Sequence, residues 1–143
     1  MTANVNPIFV IVPNIASDGA TGMSPTVLTA TGDYTGVSAN HVQVWKANTN
    51  SSWIERLRFK AIGTNIATVA RIYLNNGSTH TTATNNTFYD EVTLPATTAT
   101  NTAATNTIEV PMNFAMLSGW TIWVGLATTV VSGWDVSAIG ADY

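Results

Sequence analysis

Residues 53–77 read WIERLRFKAIGTNIATVARIYLNNG, and this stretch decides the fold class. Its first part, 53–62, alternates apolar with polar side chains at a period of two, which is typical of a β-strand with one buried face. A second apolar run at 66–74 contains β-branched and aromatic residues, which fit the pleated surface of a sheet. Residues 63–65 form a turn between the two runs, so we predict two strands that pair antiparallel. The Asn-Asn-Gly sequence at 75–77, which follows the second strand, favours the positive φ angles of a further tight reversal.

The remaining sequence continues in short strand-like runs separated by turn residues, and it lacks the i, i+3, i+4 apolar spacing of a helix. Residues 96–107 are a low-complexity run of Ala, Thr and Asn, which indicates an exposed loop or an edge segment. Together the runs predict an all-β fold, an antiparallel β-sandwich of jelly-roll type with roughly eight to nine strands. The further predicted strands are 8–12, 26–29, 41–46, 87–94, 108–112, 120–127 and 134–139.

The length and the composition favour a single domain. A chain of 143 residues is long enough for one core and short for two. Only 9% of the residues are charged, whereas about a quarter is usual, and Thr, Asn and Ser supply the polar surface instead. This composition argues against intrinsic disorder and against a helical bundle with Glu- and Lys-rich faces. We predict one β-sandwich domain over 1–143, in which 1–25 is a candidate extended N-terminal segment.

The charge and the cysteine content exclude several partners. A net charge of -3 gives no long-range attraction to phosphate backbones or anionic lipid surfaces, so we expect neither nucleic acid nor a membrane as partner. The chain has no cysteine, which rules out disulfides and thiolate metal sites. The uncharged stretch 114–131 approaches the length of a transmembrane helix, which is one interpretation. Its polar interruptions and its alternation at 120–126 favour a strand with flanking turns.

The sequence shows no pattern for catalysis. His41 and His80 are the only histidines, and neither has a carboxylate at motif spacing. We interpret both as ordinary imidazoles, His41 at the start of a strand and His80 exposed in a Thr-rich loop. Asp90 and Glu91 are adjacent, so on a strand they point to opposite faces and cannot bind one ion together. We expect a protein that is not an enzyme and that holds no cofactor and no metal.

Three of the five basic residues, Arg56, Arg58 and Lys60, fall on one face of the strand at 53–62. One interpretation is a docking stripe for an acidic protein surface. The other is the solvent-exposed face of a half-buried strand, paired with Glu or Asp across the sheet. The same alternation places Ile54 on the basic face, and it places Trp53, Glu55, Leu57, Phe59 and Ala61 on the opposite face.

The five tryptophans are either core residues or platforms that stack on sugars, and we expect most of them in the core. Trp120 shares the apolar face of its strand with Ile122, whereas Trp123 points the other way. Because aromatic residues are enriched at interfaces, Trp123 is the candidate for an intersheet or intersubunit contact. Together with the three basic residues of 53–62, it makes up the predicted protein-interface set.

Three pieces of the chain resemble segments of small virion-associated proteins of tailed bacteriophages. They are GTNIATVARIYLNNG at 63–77, TLPA at 93–96 and AIGADY at 138–143. They lie in somewhat more than the C-terminal half, and they are patterns of strand and turn, not catalytic signatures. The resemblance implies a decoration, or cement, protein that sits on a phage capsid as a β-rich domain and is often a trimer.

On this resemblance we expect a structural virion protein that stabilises the capsid by bridging neighbouring subunits of the major capsid protein. It would be made in the host cytoplasm and carried on the capsid exterior. We expect a homo-oligomer, with a trimer favoured because it matches a local threefold site of the shell. The alternative, suggested by the tryptophan content, is a carbohydrate- or receptor-binding module of a phage head or tail fibre.

Overall fold

The structure is a computed structural model, and it describes residues 12–16 and 26–143. The predicted strand 8–12, apart from its last residue, and most of the candidate segment 1–25 lie outside the described residues. The described part contains nine strands and one short 3-10 helix. The strands are β1 (Val12–Ala16), β2 (Thr26–Leu28), β3 (Val42–Lys46), β4 (Ser52–Ala61), β5 (Thr68–Asn75), β6 (Asn86–Leu94), β7 (Thr107–Met116), β8 (Thr121–Leu126) and β9 (Trp134–Asp142), and the 3-10 helix is Ala83–Asn85.

The strands form two antiparallel sheets that pack face to face. Sheet A has the order β1, β9, β4, β7, and sheet B has the order β3, β8, β5, β6. β1 pairs with residues 138–142 of β9 and β2 pairs with residues 134–136, so these two short strands share one position at the edge of sheet A. Each sheet is therefore four positions wide, and the strand order is that of a jelly roll. The predicted fold class is confirmed.

The predicted pairing of the first two strands is wrong. β4 lies inside sheet A between β9 and β7, while β5 lies inside sheet B between β8 and β6. The connection 62–67 therefore crosses from one sheet to the other. Both strands have one apolar face, and two such strands can lie side by side or in opposing sheets, which alternation alone does not distinguish. β5 pairs antiparallel with β8 and with β6, and β6 lies on the far side of the reversal that begins at 75–77.

A β-bulge in β4 changes which side chains face the core. The pairing of β4 with both of its neighbours breaks register between Ile54 and Arg56. From Leu57 onwards the predicted face is buried, but before the bulge Ile54 is fully buried and Trp53 is 37% exposed. The expected faces of Trp53, Ile54 and Glu55 are therefore wrong, because the extra residue at Glu55 moves the alternation by one position.

The core lies between the sheets and takes inward side chains from both. Trp45 on β3 and Trp134 at the start of β9 are its largest members, and Trp120 packs against it from a loop. Three of the five tryptophans thus serve the core, as expected, while Trp53 and Trp123 point outward. Other fully buried members include Ile54, Leu57, Phe59, Ile72, Ile122 and Leu126.

β7 extends further than predicted, through Pro111 to Met116. It is the edge strand of sheet A, and an edge strand tolerates proline because one side of its backbone has no neighbour to bond. The uncharged stretch 114–131 forms the end of β7, strand β8 and the adjoining loops, as the strand interpretation predicts. Within the described ranges, no helix is long and apolar enough to cross a bilayer.

Antiparallel pairing sends alternate connections to opposite ends of the sandwich. We call one of these the long-loop end; the connections there are 29–41, 62–67, 95–106 and 127–133. The connections 47–51, 76–85 and 117–120 lie at the other end. The loops 29–41 and 76–85 come from opposite ends and meet over the outer face of sheet B.

Candidate functional site

The structure does not bring the four predicted interface residues together. Arg56, Arg58 and Lys60 lie on the outer face of sheet A, as the alternation predicts. Trp123 lies on β8 with its side chain on the outer face of sheet B. The two outer faces are on opposite sides of the core, so they form two separate candidate surfaces.

The basic row on sheet A is accompanied by carboxylates. The Arg56 guanidinium forms one ion pair with its neighbour Glu55 and a second with Glu109 of β7, at 3.5 Å between Nε and Oε1. Lys60 donates a hydrogen bond of 2.6 Å to a backbone carbonyl of the 95–106 loop, and it lies opposite Asp135 of β9. Arg58 is exposed, and it makes no ion pair with any described residue.

Three basic and three acidic side chains therefore share this face, whose net charge is zero. The ion pairs support the second interpretation of the row, a solvent-exposed strand face paired with Glu across the sheet. Such exposed pairs contribute about 0.2–1 kcal/mol each. A docking stripe for an acidic surface needs uncompensated positive charge, and the equal number of acidic side chains on this face leaves no net positive charge.

The bulge in β4 lies beside a shallow depression on the same face. Its volume is about 250 Å³, and it is lined by Glu55, Arg56, Glu109, Pro111 and Asn113. Both carboxylates in it are ion-paired to Arg56. No group of three or more His, Cys, Asp or Glu in the described part of the chain is placed to hold a metal ion. The depression beside the β4 bulge therefore contains two carboxylates and one guanidinium, all of them ion-paired.

Three of the four connections at the long-loop end lack charge, while the fourth, 29–41, contains Asp33. The uncharged connections are 62–67, 95–106 and 127–133. They expose three large apolar side chains, Ile62, Ile66 and Val131, and the last is 86% exposed. Large apolar side chains exposed on loops at one end of a domain mark a candidate contact surface.

A buried asparagine holds these connections together. Asn65 is 4% exposed, and its amide donates to the carbonyl oxygens of Gly63 and Gly133 and to the hydroxyl of Thr97. Its side-chain oxygen accepts from the backbone N–H groups of Ser132 and Gly133, at 3.0 and 2.7 Å. One side chain therefore connects three loops, which gives the long-loop end a defined shape.

The outer face of sheet B carries packed aromatic rings, and sequence analysis identified only Trp123 among them. The His80 imidazole lies on the Trp123 indole with ring centroids 3.8 Å apart and planes inclined by 7°. The Trp123 Nε1 donates to the hydroxyl of Thr121 at 2.9 Å. Trp123 is therefore half-buried under a loop of its own chain. We call the whole group the aromatic cluster; its members are Trp123, His80, His41, Tyr73, Phe88 and Tyr34.

His41 lies in the middle of the aromatic cluster. Its ring stacks on Tyr73 with centroids 4.9 Å apart and meets His80 edge to face at 5.5 Å. It fits there because Gly32 and Gly125 have no side chain: a Cβ on either would overlap the imidazole. The backbone N–H of Asp33 donates to His41 Nε2 at 3.2 Å.

The expectation of an exposed imidazole is wrong for His80, and His41, expected as an ordinary imidazole at the start of a strand, is buried as well. His41 is 4% exposed and His80 is 9% exposed. Burial lowers the pKa of both imidazoles, because a charged ring loses hydration there, although the nearby Asp33 carboxylate acts in the opposite direction. Both rings are therefore neutral at pH 7.

The outer margin of the aromatic cluster is open to solvent. Tyr34 is 64% exposed and Phe88 is 44% exposed, with ring centroids 6.0 Å apart. The Arg71 guanidinium lies 3.5 Å from the centroid of the Tyr34 ring. Arg71 is 8% exposed and forms no ion pair with the described residues. This margin combines two accessible rings with a cation.

The sequence contains one partial signal for this cluster. Gly125 alternates with Trp123 on the outward face of β8, which marks a position where another group approaches the strand closely. The approaching group, His41, lies 84 positions earlier in the chain, so no local pattern could identify it. The chain matches no protein-family model, and no curated protein or solved structure matches it.

Proposed function

We propose that the chain is a structural virion protein that decorates a phage capsid and stabilises it by bridging neighbouring subunits of the major capsid protein. The observation that carries the proposal is the set of exposed apolar side chains Ile62, Ile66 and Val131 at the long-loop end, on the connections 62–67 and 127–133, which contain no charged residue. The cores of protein interfaces are depleted in charge, and apolar surface of this kind favours contact with another protein. In this proposal the chain acts by contact and not by catalysis.

The fold and the resemblance support the proposal in different ways. Jelly rolls serve as viral capsid domains and also as lectins, so the fold is compatible with the role but does not select it. The resemblance to phage virion proteins favours the capsid role over the lectin role. It rests on the stretches at 63–77, 93–96 and 138–143. We propose a trimer on the capsid exterior, because the decoration proteins that the chain resembles are often trimers and the shell offers local threefold sites.

The test is reconstitution on capsids that lack the chain. We expect the purified protein to sediment with such particles and to give lattice-ordered density on the outer surface. Val131→Asp places a charge at the long-loop end and should reduce binding at least tenfold. Leu117→Asp is the matched control, since Leu117 is 63% exposed at the opposite end of the sandwich. Particles that bind no chain would overturn the function, and equal loss in both variants would overturn the assigned surface.

Carbohydrate binding is a second candidate function, and one observation favours it. Tyr34 and Phe88 expose their rings, and exposed rings of this kind stack on sugars. The half-buried Trp123 is a poorer platform. On a glycan array, binding that is lost in Tyr34→Ala and retained in Trp53→Ala, an exposed ring on the other sheet, would support this function over capsid binding.

A further inference from the structure

We propose that His41 and His80 form an acid-sensitive clasp. With both imidazoles neutral, the clasp holds the loops 29–41 and 76–85 on the outer face of sheet B, and protonation releases them. The two loops enter from opposite ends of the sandwich, and the two rings meet edge to face with centroids 5.5 Å apart. This inference does not depend on the proposed capsid function.

The His80 half of the clasp is apolar in its contacts. The ring is stacked on Trp123 and is 9% exposed. Neither ring nitrogen makes a hydrogen bond of normal geometry within the described part of the chain. The Ser38 backbone and the Asn86 side chain lie near enough to favour the charged form, but the loss of hydration is the larger effect and lowers the pKa. A proton on this ring is therefore poorly stabilised while the loop is closed.

The His41 half is constrained by close packing. Its ring occupies the space left by Gly32 and Gly125 and stacks on Tyr73. Nε2 accepts the Asp33 N–H, which places the proton of the neutral ring on Nδ1, and Nδ1 has no partner among the described residues. Protonation would turn Nε2 into a donor facing another donor. It would also place a cation beside His80, and a positive charge on His80 lowers the pKa of His41 by repulsion. The Gly36 and Asp33 backbones favour the charged ring, but the loss of hydration is the larger effect and lowers the pKa of His41.

One carboxylate acts against the clasp opening. Asp33 favours the charged form of both histidines. Its own carboxylate accepts the backbone N–H groups of Val37 and Gly36 and the hydroxyl of Thr35. Partial burial alone would raise the pKa of Asp33, but these hydrogen bonds lower it, so it stays ionised over the range in which the histidines titrate. Asp33 thereby reduces the lowering of both histidine pKa values but does not cancel it.

Among the residues that the structure describes, no second anion is in contact with the clasp. β8 presents Trp123 and Gly125, which do not titrate. Tyr73 faces His41, and its hydroxyl donates to the Asp33 carbonyl oxygen at 2.6 Å. The other charged or titratable side chains that act on Tyr73 are Arg71 from β5, Glu91 from β6 and Tyr34 from the 29–41 loop.

Linkage gives the size and the direction of the effect. When the loops open, the imidazoles reach water and recover a pKa of about 6.5, whereas in the closed form their pKa is lower. Below about pH 6.5 the open form therefore binds protons that the closed form does not. Each such histidine raises the ratio of open to closed molecules by at most about tenfold per pH unit, and two raise it by at most about a hundredfold, until the closed form also becomes protonated.

The test uses the full chain, in which these are the only two histidines. Nuclear magnetic resonance from pH 8 to pH 4.5 should show both imidazoles titrating below 6.5. Amide protection factors, corrected for the intrinsic exchange rate, should fall over the same range in 29–41 and 76–85, while those of β4 stay constant. Histidines that titrate at about 6.5, loop protection that does not change with pH, or parallel loss of protection in β4 would each overturn the clasp.

His80→Phe supplies a matched variant. Phenylalanine keeps a flat ring on Trp123 but cannot take up a proton. We expect the pH dependence of loop protection to fall from as much as a hundredfold to at most tenfold per pH unit, and the pKa of His41 to rise because the opposing charge is gone. An unchanged pH dependence in this variant would overturn the role of His80.

Discussion

The His80 imidazole lies parallel to the Trp123 indole at a centroid distance of 3.8 Å, so a loop side chain covers the very residue that strand alternation points toward a partner. The outward direction of Trp123 is as predicted. Its contact is with another part of the same chain, because the 76–85 loop folds back over sheet B. Outward orientation on a strand therefore does not by itself mean that a side chain is available to a partner.

Because of the bulge in β4, we expect Ile54 to contribute more to stability than its neighbour Trp53. Ile54→Ala removes a fully buried side chain and should lower the free energy of unfolding by about 2–5 kcal/mol. Trp53→Ala removes a larger but partly exposed ring and should cost less than Ile54→Ala. Urea denaturation of both variants checks the order. The reverse order would mean that the alternation continues without a bulge and that Trp53 faces the core.

Asn65 should matter for stability more than any exposed asparagine. Its side chain makes five hydrogen bonds in a buried setting, and a buried polar group left without a partner costs about 1–3 kcal/mol. We expect Asn65→Ala to lower the free energy of unfolding by at least about 2 kcal/mol. Asn101→Ala, on the exposed 95–106 loop, is the control and should change it by less than about 0.5 kcal/mol. Denaturant titration gives both values, and similar small changes would contradict the network.

The fit of His41 against Gly125 can be measured with a double-mutant cycle. Gly125→Ala places a Cβ where the imidazole lies, and we expect a loss of about 1–3 kcal/mol from overpacking. His41→Ala removes the ring, so in that background Gly125→Ala should cost almost nothing. The coupling energy between the two sites should therefore be large. Additive losses, measured by thermal or chemical denaturation, would show that the ring and the glycine do not touch.

Tyr73 should lose its proton at a higher pH than an unfolded tyrosine, and the free energy of unfolding should therefore fall at high pH. Burial raises its pKa to about 12, while an unfolded tyrosine loses its proton at about 10. Between these values the unfolded state is the more readily deprotonated, so the free energy of unfolding should decrease as the pH rises from about 10 to about 12. Tyrosinate absorbance should show one late group among the four tyrosines, and this step should be missing in Tyr73→Phe. A single transition near pH 10 for all four would contradict it.

Tyr73→Phe also tests the contact with the 29–41 loop. The hydroxyl donates to the Asp33 carbonyl oxygen, and the loss of one such bond is expected to cost about 0.5–1.5 kcal/mol at neutral pH. Amide exchange should show the loss in the 29–41 loop before it shows in β4. Equal effects in both places would mean that Tyr73 supports the whole fold and not this loop.

The sequence by itself determined the class of fold and most of its strands. Period-two alternation, turn residues and the near absence of charge are local properties, so eight of the predicted runs fall on β2 to β9 within a few residues of the observed bounds. The alternation also places Arg58 and Lys60 correctly on the outer face of sheet A. Local properties of this kind need no knowledge of distant partners.

The tertiary structure decided what each face does. A one-residue bulge reversed Trp53 and Ile54, because register depends on both neighbouring strands and not on β4 alone. The ion pair between Arg56 and Glu109 and the burial of His41 against Gly125 join residues far apart in the chain. The order of the strands in the jelly roll decides which charges are neutralised and which rings are covered, and no local pattern contains that order.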